Sequence, residues 1–258
     1  MNEYALVTGA SRGIGKSIAI SLAAKGYNLL LVARSESELK VLSADIQDKY
    51  KVNALYFAID LSTIDAAGKV TAWCTSSVSD ISILINNAGY GLWGKFDQLD
   101  IKEQLNMLQL NINAVVELTY LLLPVLQKQK KAYVLNVAST AAYLAMPTLA
   151  LYAASKTFIL SYSRALTHEL KDSTVAVSCL CPGPTATGFA TRAGMDILAE
   201  LAEKFNMSAD VVAEVGLKGM FNHKTEIIPG FLNKLSYFGA RHLPKSLIER
   251  VTARLYKS

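Results

Sequence analysis

The sequence predicts an α/β protein built on a doubly wound, parallel β-sheet with helices on both faces. Three observations carry this. Short apolar runs, many of them β-branched, alternate regularly with longer amphipathic stretches, which is the pattern of βαβ units with right-handed crossovers. The runs show little polar alternation, as expected of strands covered on both sides. The length, 258 residues, suits one α/β domain.

Taken in order, "YALVTG" reads as the first strand and 13–25 as the first helix. "NLLLVA" and helix 36–49 follow, then "NALYFAID" and helix 64–78, then "ISILINN" and helix 101–129. "AYVLNVAS", helix 149–171 and "TVAVSCLCPG" complete the regular part. Past Pro184 the alternation stops. Residues 190–221 suggest two short helices within a substrate-loop segment, 184–222, of the irregular kind that often forms lids or binding loops. "EIIPG" reads as a last strand, and 231–258 as a basic, short helical C-terminal extension. With no internal repeat, low-complexity stretch or linker, 1–258 is expected to be a single domain.

Composition narrows the function. Hydrophobic residues make up 52%, charged residues 18%, and mean hydropathy is +0.27, values of a packed globule rather than a disordered chain. No apolar run reaches the ~18 residues of a spanning helix; "LTYLLLPVL" is short and holds Pro124. Met1 leads straight into a strand without a signal-peptide pattern, so the expected location is cytoplasmic. Cys74, Cys179 and Cys181 fit neither a zinc knuckle nor a C-x-x-C pair. His168, His223 and His242 lack metal-ligand spacing, and no metal site is expected. The net charge of +5 sits in the last 28 residues, where Lys234, Arg241, Lys245, Arg250, Arg254 and Lys257 face only Glu249. Such a tail can meet an acidic surface, yet more often it solubilises a terminal helix; no nucleic-acid partner is expected.

Ligands of doubly wound sheets bind beyond the C-terminal strand ends. The first strand delivers "TGASRGIG", whose Gly9, Gly13 and Gly15 let backbone approach a pyrophosphate at a helix N-terminus. Where NAD sites usually hold an acid, the second strand ends in Arg34, and Arg12 lies in the glycine turn. Guanidinium groups grip a 2'-phosphate through paired hydrogen bonds, which points to NADP(H) over NAD(H). Asp60, before Leu61, either caps the next helix or binds the adenine. The fourth strand delivers "NNAG" and the fifth Ser139; thirteen residues on, Tyr152 precedes Lys156 by one helical turn, so both share a face.

Together, T-G-x-x-x-G-x-G at 8–15, N-N-A-G at 86–89, Asn111, Ser139, Y-x-x-x-K at 152–156 and P-G at 182–183 resemble the short-chain dehydrogenase/reductase family. The likeness extends to 3-oxoacyl-carrier-protein reductases and hydroxysteroid-dehydrogenase-like members. It implies a Rossmann-type sheet of about seven strands and a tetrad of Asn111, Ser139, Tyr152 and Lys156, with Asn113 competing for the first place. It further implies dinucleotide contacts from Gly9, Ser11, Arg12, Gly13, Ile14 and Gly15, from Arg34, Asp60 and Leu61, from Asn87, Ala88 and Gly89, and from Tyr152, Lys156, Pro182, Gly183, Thr185 and Thr187.

A free phenol has pKa ~10, and a nearby cation lowers it by ~1–3 units. Lys156 is therefore expected to bring Tyr152 toward the working pH as general acid. The expected activity is hydride transfer between NADP(H) and the carbonyl or secondary alcohol of a hydrophobic substrate: a ketone, a 3-oxoacyl compound or a steroid-like molecule. Tyr90, Leu92, Trp93, Ala141, Tyr143, Leu144, Met146, Phe189 and Met195 are candidates to line the cleft. The alternative is a non-catalytic NADP(H)-binding sensor or scaffold. The family likeness also implies a homodimer or homotetramer through helices 101–129 and 149–171.

Overall fold

Seven parallel strands lie in the order β3-β2-β1-β4-β5-β6-β9 in the computed structural model, which describes residues 3–189, 193–194, 206–242, 244 and 248–250. They are β1 (Tyr4–Thr8), β2 (Asn28–Ala33), β3 (Ala54–Ala58), β4 (Ile81–Asn86), β5 (Ala132–Val137), β6 (Val175–Leu180) and β9 (Glu226–Ile227). The order reverses between β1 and β4, the switch point where doubly wound sheets open a crevice. Side chains alternate across the sheet. Leu6, Leu30, Leu84 and Val134 face one core with helices α3 (Ala66–Ser77), α4 (Ile101–Leu108), α5 (Ala114–Leu126) and α6 (Ala150–Glu169). Val7, Leu31, Ile85 and Leu135 face the other, with α1 (Gly13–Ala23), α2 (Glu36–Tyr50) and α7 (Ala209–Phe221).

A buried polar line crosses the first face. Asn86 donates to Thr119 at 3.0 Å and to Asn136 at 2.9 Å, and Asn136 donates to Ser163 at 2.9 Å. Such a line pins β4 and β5 to α5 and α6, because a slip would leave buried amides unpaired.

Two features depart from the sequence reading. The helix expected at 101–129 contains a π-helical turn, Gln109–Asn113, between α4 and α5, and ends at Leu126. By length and composition Ile101–Leu126 could cross a membrane. One face of it, with Met107, Leu118 and Leu122, is buried against the sheet layer, and the polar, buried Asn111 lies near its middle. Residues 209–221 form one helix of the segment where two short ones are expected; 190–192 and 195–205 lie outside the described residues. Finally, β7 (Thr185–Ala186) and β8 (Met207–Ser208) pair as a two-residue parallel bridge that no periodicity announces. Helix α8 (Phe231–His242) opens the C-terminal extension.

Candidate active site

The chain leaves β1 at Thr8, turns through Gly9 and enters α1 at Gly13. Thr8 Oγ1 donates to the Ile85 carbonyl at 3.1 Å and accepts from the amides of Asn87 at 2.9 Å and Ala88 at 3.1 Å. Asn87 Nδ2 donates back to the carbonyls of Thr8, at 2.9 Å, and Gly9, at 3.3 Å. Two turns far apart in sequence are thereby locked into one cradle. Its floor excludes side chains: a Cβ on Gly15 would stand 2.9 Å from the Gly9 carbonyl carbon and closer still to its oxygen. Gly13 adopts φ +54°, and a Cβ there would lie 2.8 Å from Thr187 Cβ. Helix α1 has neither a side-chain cap nor an acidic residue in its first turn. Its first amides, without helical partners, could hold an anion. These donors over a side-chain-free floor fit a pyrophosphate.

On α6, Tyr152 and Lys156 are both buried, and Ser139 lies close enough to the Tyr152 hydroxyl to favour its ionised form. Ser139 caps the 3₁₀ turn Thr140–Tyr143 and accepts from the Ala141 amide at 3.1 Å. Lys156 Nζ donates to the Val137 carbonyl at 2.9 Å and lies 5.9 Å from the centre of the Tyr152 ring. Asn111 is held from two sides: Nδ2 donates to the Tyr90 carbonyl at 2.9 Å and to Ser155 at 3.1 Å, while Oδ1 accepts from the Tyr90 amide at 3.1 Å. Gly89 lies between, where a Cβ would be 2.9 Å from Asn111 Oδ1 and 3.3 Å from Lys156 Nζ. Asn113 is exposed and bonded to Gln109. The π turn thus brings Asn111, and not its competitor, to Tyr152 and Lys156; such turns recur at functional sites.

Burial pushes Tyr152 up to about 12, which the nearby Ser139 only partly offsets, and pulls Lys156 down to about 8. The Tyr152 shift runs opposite to the one expected from Lys156 alone, because withdrawal from water is the largest cause for both groups. The pair remains usable. Near neutrality Tyr152 holds a proton to donate, and Lys156 is mostly cationic.

Beside the cradle a cleft of about 580 Å³ is lined by Ser11, Arg12, Gly13, Lys16, Ser37 and Glu38, among others. Arg12 pairs with Glu38 at 3.1 Å, and Arg34, at the end of β2, pairs with Asp60 at 3.7 Å. All four side chains are at least a third exposed, so such pairs are weak and exchangeable. Asp60 Oδ1 accepts from the amide and hydroxyl of Ser62, shaping the turn after β3 instead of capping α3, whose N-cap residue is Asp65. Among the other expected contacts, Leu61 is buried in the core and Ile14 packs on the opposite core. The Pro182 carbonyl accepts from the Thr140 amide, Thr185 donates to the Gly183 carbonyl, and Thr187 donates to the Thr185 carbonyl.

Two expected cleft residues turn elsewhere. The Tyr90 hydroxyl donates to the Glu103 carbonyl of α4 at 3.3 Å. Tyr143 donates to Glu226 at 2.6 Å, alongside an Arg164–Glu226 ion pair. In both cases a polar partner on a distant element satisfies the phenol. Phe189 lies against Tyr152, ring centres 5.3 Å apart. Gly91 makes room for them, since a Cβ there would be 2.9 Å from Phe189 and 3.3 Å from Tyr152. Ala141 and Met146 share the core cluster of Tyr152, with Leu92, Trp93 and Leu144 packed at its margin; Met195 lies outside the described residues. The sequence reading missed Thr8, Lys16, Ser37 and Ser155. Thr8 was signalled by its place in the T-G pattern and Lys16 by lying one helical turn from Arg12; Ser155 had no signal.

The model of the short chain dehydrogenase family matches residues 3–198. The very-long-chain 3-oxoacyl-CoA reductase of Pyrenophora tritici-repentis is 39% identical over 181 residues, 69% of this chain and 53% of that protein. The chain thus spans about half the length of this fungal relative. The Homo sapiens protein of the same name is 32% identical over 226 residues, 86% of this chain and 71% of that one. A short-chain dehydrogenase from Sphingobium yanoikuyae, solved in complex with NADPH, superposes with a TM-score of 0.83 at 29% identity, covering 93% of this chain and 94% of the other. A match running from the first strand past the end of β6, on a sheet and strand ends built as above, leaves one conclusion: this chain belongs to the short-chain dehydrogenase/reductase family of oxidoreductases.

Proposed function

We propose that the chain is an NADP(H)-dependent carbonyl reductase, reversible as an alcohol dehydrogenase, acting on a hydrophobic substrate of the 3-oxoacyl thioester class. The observation that carries this reading is the burial of Tyr152 beside Ser139, with Lys156 one turn away. The relatives named 3-oxoacyl-CoA reductases support the substrate class. When bound, the nicotinamide supplies the hydride or takes it back. Ser139 and Tyr152 present two hydroxyl donors to one substrate oxygen, and Tyr152 passes its proton to that oxygen as charge gathers there. The Lys156 ammonium stabilises the phenolate left behind. Asn111 fixes the backbone at Tyr90 and with it the Gly89 turn, while Phe189 shields Tyr152 from water. The test is NADPH consumption by the purified protein with 3-oxoacyl-CoA thioesters of graded chain length, steroid ketones and simple aldehydes. Turnover on none of them overturns the reading.

The preference for NADP(H) rests on Arg12 and Arg34, and the NADPH complex of the Sphingobium relative supports it. A 2'-phosphate would draw the guanidinium groups from their exposed carboxylate partners. Arg12→Ala and Arg34→Ala are each expected to lower kcat/KM for NADPH about tenfold, the loss of roughly one charge-assisted hydrogen bond, and to leave NADH little changed. Equal losses with both cofactors would reject this role.

Lys156 sets the expected pH profile. Its ammonium is present below about 8 and lost as pH rises through that value, while Tyr152 stays protonated up to about 12. Reductase kcat/KM is therefore expected to be flat on the acid side of about 8 and to fall above it. The same burial makes the ammonium a cost to the fold below about 8, a cost relieved as pH rises toward 10.5, its ordinary value. For the expected self-association, exposed Leu105, Tyr120 and Phe158 on α4, α5 and α6 offer an apolar face.

A further inference from the structure

Helix α8 has two unlike faces. On the inner one, Asn233 donates to the Pro229 carbonyl at 2.8 Å and crowds Gly183, where a Cβ would stand 2.6 Å from Asn233 Cγ. The Tyr237 ring meets Tyr143 edge-on, centres 4.7 Å apart. These anchors hold α8 against the turns that follow β5 and β6, next to the site. On the outer face Phe231, Leu232, Leu235 and Phe238 are 57–80% exposed. Their spacing puts all four on one stripe, and exposed Lys234 flanks it. Single exposed apolar residues are ordinary, but a contiguous patch marks an interaction surface.

Charge identifies the partner. Residues 231–258 hold six basic residues against one acid, and that excess equals the +5 of the whole chain. We propose that the outer face of α8 docks on an anionic lipid surface. The four apolar side chains enter the headgroup–acyl boundary, and Lys234 at the edge of the stripe meets the phosphates, as amphipathic interfacial helices do. A second copy packed symmetrically on the same stripe would set Lys234 near its own twin, whereas an anionic surface supplies the opposite charge. A nucleic acid offers nothing for the apolar stripe to enter. Docked this way, α8 stands between the lipid and the turns at Ser139–Tyr143 and Pro182–Gly183.

The test is flotation of the full chain with vesicles of phosphatidylcholine, with and without phosphatidylserine. The protein is expected to float with the anionic vesicles and to be released by salt. Lys234→Gln is expected to weaken partitioning about fivefold, from the ~1 kcal/mol that each basic residue contributes at such a surface. The double variant Leu235→Glu, Phe238→Glu is expected to weaken it by more than about tenfold. Circular dichroism and melting temperature establish that the variants fold. The proposal is overturned if neither vesicle carries the protein. It is equally overturned if the double variant floats unchanged, since attachment would then use another surface such as 101–126. A double variant that halves the sedimenting mass of a protein indifferent to vesicles would assign the stripe to a second copy.

Discussion

Tyr152→Phe is expected to lower kcat for carbonyl reduction by about 10²–10⁴-fold, the usual contribution of a positioned general acid, while NADPH binds as before. At about 1.4 kcal/mol per decade this is about 3–5 kcal/mol of transition-state stabilisation. The substitution is a clean probe because the ring is kept. Its contact with Phe189 and its place over Gly91 depend on carbon atoms, so the cleft wall should hold its shape. Only the hydroxyl is lost, and with it the influence of Ser139 on that group. Single-turnover kinetics with a separate measurement of NADPH affinity would check this. Retained turnover would mean that the proton comes from elsewhere and that the Tyr152–Lys156 pair is structural.

Gly15→Ala should be the most damaging single methyl in the glycine turn. Its Cβ would press on the Gly9 carbonyl, which is backbone, and on Asn87 Nδ2, which ties β4 to β1. Neither can yield without opening the cradle. A loss of about 3 kcal/mol is expected, at the upper end for an overpacked site, equivalent to roughly 6–12 °C in melting temperature for a chain of this size. NADPH affinity should fall with it, because the same displacement moves the first amides of α1. The checks are thermal melting and NADPH titration on one sample. An unchanged melting temperature with normal NADPH affinity would show that the turn tolerates a side chain.

The six strands of the regular region and the glycine turn could be read from the sequence because their signals are local: apolar runs of strand length, and glycines at a strand-to-helix junction. Tyr152 and Lys156 were legible through spacing, and Asn111 and Ser139 through family likeness. What escaped depends on partners far along the chain. Tyr143 looks like a cleft residue until Glu226 is seen beside it, and no local pattern announces the exchangeable pair of Arg12 with Glu38. The π turn that selects Asn111 over Asn113 is a change of helical phase, to which an apolar pattern is nearly blind. The reversal of the Tyr152 shift follows from burial, which exists only once the sheet and α6 have closed over the pair.

The strand order also dictates when the site can exist. Its parts come from residues 8–15, 86–89, 111, 139, 152–156 and 182–187, spread over most of the chain. A ribosome adds about 5–20 residues per second, so the glycine turn waits roughly ten to thirty seconds for the segment that carries Thr187. Until β4 arrives, β1 has a partner on one side only, β2. A nascent chain therefore passes through a long interval with an open sheet edge and no complete cofactor cradle. The dinucleotide can rescue a finished chain by binding the native state, but it offers little protection to one still being made.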